Sequence, residues 1–226
     1  MANNECNNFR EDVVLDRIKI FVTGPYSAGK TTVVHKLDPY ATSIEKQRPD
    51  GTSTTIGFDL GILYLLIEKE SKGIILLNRE EYKKFPREKL NKYDIYKLLL
   101  FGCPGQMHFA PVREILAKGS KGVLFVIDST SHCQVGFAIA MLEEVKIYLG
   151  DYIPMVILAN KQDLDGALSA ERISEILNVN TVKVIETSAI RNINLREALI
   201  ELIHLMKIIE ENVPHQEQQL IRGSKH

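Results

Sequence analysis

Cysteine is scarce in this 226-residue sequence, which has three, at Cys6, Cys103 and Cys133. An odd number without CxxC spacing builds neither a disulfide framework nor a zinc site, and it suits a reducing compartment such as the cytoplasm. Long apolar runs are missing as well, since none reaches the 18 or so residues that a bilayer span needs. The opening MANNECNNFRED has no apolar signal segment. Residue 2 is Ala and the chain ends RGSKH, so acceptors for myristoylation and prenylation are lacking. The expectation is a cytoplasmic protein with no membrane anchor of its own. An excess of one charge is absent too: 28 Lys plus Arg stand against 29 Asp plus Glu, a formal net charge of −1. No overall field draws the chain to nucleic acid, so any anion must be held by a local site. What remains is 45% hydrophobic and 25% charged residues, the balance of one globular domain with its own core.

Short β-branched runs alternate with longer amphipathic stretches, the pattern of an α/β protein with a mostly parallel sheet and crossover helices. Strands are expected at 18–23, 58–67, 96–101, 123–128, 155–159 and 182–185, six in all. Helices are expected at 135–149, ending at Gly150, and from Asn194 through about residue 210, with Glu197 completing a capping box. Residues 62–97, 36 in number, are too many for a hairpin loop joining adjacent strands. They read as an insertion, either a solvated excursion or short surface helix, or else a partner-binding lobe. Residues 1–16 form an N-terminal extension, and 211–226 lose all periodicity and read as a disordered tail.

Gly24-Pro25-Tyr26-Ser27-Ala28-Gly29-Lys30-Thr31 matches GxxxxGKT between a strand and a helix start, the context of a phosphate-binding loop. Backbone N–H groups must turn inward around phosphate oxygens, and Gly24 and Gly29 permit the required backbone angles and close approach. Lys30 is assigned to the β- and γ-phosphates and the hydroxyl of Thr31 to Mg²⁺. Ser27, Ala28 and Thr32 complete the phosphate-binding set. Further along, Asn160-Lys161-Gln162-Asp163 follows one apolar strand, and Glu186-Thr187-Ser188-Ala189 follows the next.

With a phosphate loop upstream, NKxD and the Ser-Ala loop resemble the Ras-like small GTPases over about residues 17–210. The resemblance implies a P-loop NTPase fold, GTP and GDP as ligands, and Mg²⁺ as cofactor. It assigns Asp163 to the guanine N1 and N2 groups, Asn160 to support of the loop, and the Lys161 stem to the ring. Ser188 and Ala189 form the loop whose backbone N–H meets guanine O6. Adenine would leave Asp163 buried without a donor pair. Thr55-Ile56-Gly57-Phe58 is similar to the Arf family's TIGF, which makes Thr55 a Mg²⁺ ligand and γ-phosphate contact, with Thr54 as the alternative; a polar loop is the plainer reading.

Phe101-Gly102-Cys103-Pro104-Gly105-Gln106 departs from the usual DxxGQ, because Gly102 stands where the family has the Asp that holds Mg²⁺ through water. This resembles the PGQ-type branch of prokaryotic small GTPases that includes MglA-like proteins, and it implies a functional but weakened metal site. Gln106 is the candidate for orienting the attacking water, Gly105 for a γ-phosphate contact through its N–H, and Lys30 for charge stabilisation. Tyr26 should crowd the route by which a partner's arginine reaches the γ-phosphate, and Arg48 is the in-chain arginine candidate. Asp128 is expected to bond local backbone N–H groups, and His35, His108 and His132 are read as non-catalytic. The implied activity is a slow, Mg²⁺-dependent GTPase switch with protein regulators of Roadblock or longin type. The alternatives are a non-hydrolysing GTP-binding subunit, similar to the signal-recognition-particle receptor β subunit, and a kinase or ATPase on the same loop.

Overall fold

The computed structural model describes residues 14–47 and 53–212. In chain order the elements are β1 (Val14–Thr23), α1 (Lys30–Leu37), β2 (Thr42–Gln47), β3 (Ser53–Glu68), β4 (Ile74–Asn78), α2 (Arg79–Lys84), β5 (Tyr93–Gly102), α3 (Ala110–Ala117), β6 (Gly122–Asp128), α4 (His132–Leu149), β7 (Met155–Asn160), α5 (Ala170–Leu177), β8 (Lys183–Glu186) and α6 (Leu195–Asn212). The expectations for most of the N-terminal extension, the tail beyond residue 212, Cys6 and Arg48 lie outside the described residues. Among those described, no helix is long and apolar enough to cross a membrane.

One sheet runs β2-β3-β5-β1-β6-β7-β8, with β4 paired to β3. The pairs from β5 through β1, β6 and β7 to β8 are parallel, and β3 is antiparallel to β2, β4 and β5. Among the described residues the sheet therefore has eight strands, not the six expected. The two unforeseen strands lie at its antiparallel side. β2 reads TSIEKQ, an edge strand too polar to show an apolar period.

β4 belongs to the insertion. β3 continues to Glu68 and pairs back with β4 across a tight turn. α2 is a short surface helix, started by a reciprocal capping box between Asn78 and Glu81. The Glu81 carboxylate also takes a two-pronged bond from Arg196 of α6, at 2.7 and 2.8 Å. Tyr82 stacks on Tyr64 of β3 with ring centroids 3.9 Å apart. Residues 62–97 thus hold the expected short surface helix, α2, together with an extension of the sheet that docks on α6 through Arg196, in place of a solvated excursion.

β6 is buried along its whole length, and its side chains alternate between two cores as strand geometry requires. Leu124 and Val126 join Val33, Val34 and Leu37 of α1 and Leu199 and Leu202 of α6 on one face. Val123, Phe125 and Ile127 join Val135, Met141 and Val145 of α4 and Ile173 of α5 on the other. Each such fully buried aliphatic or aromatic side chain contributes about 1.5–3 kcal/mol of transfer free energy. After β1 the chain builds β2 through β5 on one side of it and then crosses to β6 on the other. The carboxyl end of β1 is therefore the topological switch point, where open α/β sheets bind ligands.

Candidate nucleotide site

The loop after β1 sits at that switch point. Gly24 has φ +135°, and a Cβ there would come within 2.0 Å of the Val126 carbonyl oxygen, so only glycine allows the chain to leave β1 this way. Lys30, the first residue of α1, is buried and its Nζ donates to the Pro25 carbonyl at 2.7 Å. Burial lowers its pKa to about 8 against the opposing pull of the nearby Asp59 carboxylate. Ser27 stands at φ 62° with its side chain exposed, Ala28 is fully buried, and Thr32 is exposed on α1. Tyr26 is 44% exposed on the same loop.

Thr31 shows what the sequence did not. Its Oγ1 donates to Oδ2 of Asp59 on β3 at 2.8 Å, and Asp59 is 1% exposed. Asp59 is the cross-strand neighbour of Gly102, the position expected to hold the metal-orienting carboxylate. A Cβ built on Gly102 would lie 2.8 Å from Asp59 Oδ2 and 3.0 Å from its Cβ. The carboxylate absent from β5 is therefore present in the same volume, carried by the adjacent antiparallel strand. The expectation of a weakened metal site rested on losing that anion, and the geometry removes its basis. Ser43 donates to the other oxygen, Oδ1, at 2.5 Å. That bond uses the only Ser43 proton, so its oxygen accepts from His35 Nε2 at 2.7 Å and fixes the proton on Nε2. His35 thus stands one hydroxyl away from the carboxylate.

The donor set suits a small divalent cation: a hydroxyl that gives its proton to a carboxylate keeps its oxygen lone pairs for a hard metal. Thr55 does not join this group. It lies in β3, paired with Glu45 of β2, and four residues of extended strand separate it from Asp59, about 13 Å. Its side chain lies outside the described residues. The strand holds Thr55 away from Thr31 because its backbone is committed to the β2 ladder.

On the far side, Gly105 packs against the phosphate loop. Its Cβ position is 2.6 Å from Lys30 Nζ, from the Pro25 carbonyl carbon and from the Tyr26 nitrogen, so any side chain would push the segment away. Gln106 follows, half-buried, before the 3-10 turn Met107–Phe109. Cys103 is a buried thiol whose pKa burial raises, and it donates to Thr23 Oγ1 at 3.2 Å.

The base-side loops meet at Asn160, which is 2% exposed. Its Nδ2 donates to the Ala28 carbonyl at 2.9 Å, and its Oδ1 accepts from the Ala189 N–H at 2.8 Å and from Thr187 Oγ1 at 3.4 Å. One side chain therefore ties the phosphate loop to both loops expected to read the base. The Ala189 N–H, expected to point at a base oxygen, is given to Asn160 here. Lys161 stands at φ 72° and its Nζ bonds Asp128 Oδ2 at 2.6 Å. Asp128 also accepts from the Thr130 N–H at 3.0 Å and hydroxyl at 2.6 Å. Burial pushes its pKa up, but the Lys161 and Thr130 bonds outweigh this and hold it below the ordinary value. Asp128 thus bonds local backbone as expected and also aligns the lysine stem. Asp163 is partly buried, accepting from the Ser188 hydroxyl across the two loops. Among the described residues no group of three or more His, Cys, Asp or Glu forms a metal cluster.

A family model described as conserved hypothetical ATP binding protein matches residues 68–219, more than half of the chain. The chain belongs to that family. It is also 28% identical to ADP-ribosylation factor-like protein 1 of Saccharomyces cerevisiae over 199 residues, 84% of this chain and 88% of that protein. Shorter matches are ADP-ribosylation factor-like protein 6 of Caenorhabditis elegans, 36% over 83 residues (35% of this chain, 44% of that one), and the mutual gliding-motility protein MglA of Myxococcus xanthus, 34% over 85 residues (35% and 43%). Together with the sheet order and the phosphate loop, these relatives set this member of the family within the Ras-like small GTPase superfamily.

Proposed function

We propose that the protein is a guanine-nucleotide switch that binds GTP with Mg²⁺, hydrolyses it slowly and presents different surfaces in its GTP and GDP states. The observation that carries this reading is Asn160, which ties the phosphate loop to the two loops bearing Asp163 and Ala189. Recognition of the base is thereby mechanically joined to the grip on the phosphates. In this reading Gly24, Ser27, Ala28, Gly29, Lys30, Thr31 and Thr32 hold the phosphates. Asp163 accepts from guanine N1 and N2, Lys161 covers the ring, and Ser188 orients Asp163.

Thr31 would hold Mg²⁺, with Asp59 accepting the Thr31 proton and orienting the outer sphere. The ion would supply charge neutralisation at the β- and γ-phosphates. Gln106 positions the attacking water, and Lys30 draws its charge to the triphosphate. Thr55 reaches the γ-phosphate only after residues 53–57 leave the β2 ladder, so that segment is the moving part of the switch. Turnover is slow unless an arginine, from a partner or from Arg48 of this chain, reaches the phosphoryl oxygens, and regulators of Roadblock or longin type in the cytoplasm are the partners that fit an MglA-like branch.

Asp163→Asn tests the base assignment. An amide there donates where the carboxylate accepted, so preference should move from GTP toward xanthosine triphosphate. Unchanged preference would refute the role of Asp163. Gln106→Ala should abolish or strongly reduce hydrolysis while binding persists; equal turnover would leave the non-hydrolysing reading.

A further inference from the structure

Among the described residues, the largest fully buried side chain carries a charge. Arg113 of α3 is 1% exposed. Its Nε and Nη2 form a fork on Glu144 of α4, with N···O distances of 3.0, 3.0 and 2.8 Å. Its Nη1 points the other way and donates to the backbone carbonyl of Gln106 at 2.7 Å. The same carbonyl accepts from the Phe109 N–H at 3.1 Å.

Burying a guanidinium costs several kcal/mol before pairing, and hydrocarbon of equal volume commonly stabilises a core as well or better than the ion pair. Stability alone therefore does not account for an arginine here. What hydrocarbon cannot do is donate to a loop carbonyl. The two-point contact with Glu144 fixes the plane of the guanidinium, and that plane sets the direction of Nη1. Glu144 lies on α4, which contributes no residue to the nucleotide site described above. The clamp thus ties the Gln106 backbone to a helix outside the nucleotide site, while Gly105 beside it rests on the phosphate loop.

We propose that Arg113, oriented by Glu144, is a positioning residue for Gln106: it holds the Gln106 backbone so that the side chain meets the attacking water. This rests on the reading of Gln106 given above. Arg113→Lys keeps the charge and can pair with Glu144, but one ammonium cannot span both partners. Glu144→Gln keeps an acceptor at a site 25% exposed, where folding is least at risk, but loses the charged fork.

The test is single-turnover GTP hydrolysis and GTP affinity for the wild type, Arg113→Lys, Glu144→Gln, Gln106→Ala and the double variants with Gln106→Ala. Hydrogen exchange of residues 105–110 with a non-hydrolysable GTP analogue is measured alongside. Both clamp variants should lower the hydrolysis rate about tenfold to a hundredfold, the range for a misplaced reacting group, with nucleotide affinity unchanged and faster exchange in 105–110. Neither should slow Gln106→Ala further. Unchanged hydrolysis in both clamp variants, or an equal loss in the Gln106→Ala background, overturns the proposal. A wild type that binds GTP without turnover refutes the hydrolytic reading instead, and the clamp is then decided by exchange: protection unchanged in both variants refutes it.

Discussion

Replacing Asp59 by Asn isolates the carboxylate that β3 brings to the phosphate loop. The amide is nearly isosteric, so the side chain still fills the space against Gly102, and its oxygen still accepts from one of the two hydroxyls, Thr31 or Ser43. The hydroxyl facing the NH₂ must turn to accept, and in Ser43 that turn competes with the bond from His35. The expected stability loss is about 1 kcal/mol, one net hydrogen bond rearranged. The effect on metal should be larger, because groups that orient metal ligands from the outer sphere contribute about 10–100-fold in affinity. The assay is release of a fluorescent GDP analogue from the protein as free Mg²⁺ is lowered, and the midpoint for Asp59→Asn should rise by that factor. Gly102→Asp alone should destabilise, since its Cβ would stand 2.8 Å from an Asp59 oxygen and a second buried carboxylate would oppose the first; overpacking by itself costs about 1–3 kcal/mol. Combining Asp59→Gly with Gly102→Asp returns one carboxylate to the same volume and should recover most of the lost Mg²⁺ dependence. An unchanged midpoint in Asp59→Asn, or a Gly102→Asp variant as stable as the wild type, would refute the exchange of roles between the two strands.

Lys30, lowered to about 8 by burial, should make nucleotide binding pH-dependent. The protonated form pays its burial cost below that pH and sheds it as pH rises toward 10.5, so unliganded stability should increase across that window, while GTP affinity, which needs the charge, should fall about fourfold between pH 7 and 8.5. A flat affinity profile, followed by calorimetry below the ionisation of guanine N1, would contradict the shift. Gly105→Ala puts a methyl 2.6 Å from the Pro25 and Tyr26 backbone and should slow hydrolysis with little change in GDP affinity; an unaffected rate would mean that the packing of Gly105 on the loop is not kept during turnover. Asn160→Ala removes partners from the Ala28 carbonyl, the Ala189 N–H and Thr187, and at about 1–3 kcal/mol for each buried group left unpaired it should lower the melting temperature and guanine-nucleotide affinity together. Loss of affinity without loss of stability would show that Asn160 does not tie the loops.

Much of this was legible from local pattern. The phosphate loop, the parallel strands and the long helices announce themselves by glycine spacing and apolar period, and their boundaries moved by only a few residues. β2 escaped because its polar sequence is held by one neighbour at an edge, and β4 because its apolar run lay inside an apparent insertion. The functional pairings that escaped are all cross-element. Asp59 looks like one polar residue in an apolar strand until antiparallel register sets it opposite Gly102. The adjacency of a missing Asp on one strand and a surplus Asp on its neighbour was the available signal. Arg113 and Glu144 lie 31 positions apart, and nothing in either helix's own period marks them as partners. Thr55 differs from its reading in conformation: the TIGF segment suggests a loop near phosphate, whereas pairing with Glu45 of β2 draws its backbone into the sheet.

The measurement that bears most directly on the account is calorimetric titration of nucleotide-stripped protein with GTP and with ATP in the presence of Mg²⁺. Asp163, tied to Ser188 beside the Asn160 bridge, predicts binding of GTP tighter than ATP by orders of magnitude. Equal affinity for the two, or a preference for ATP, would contradict it.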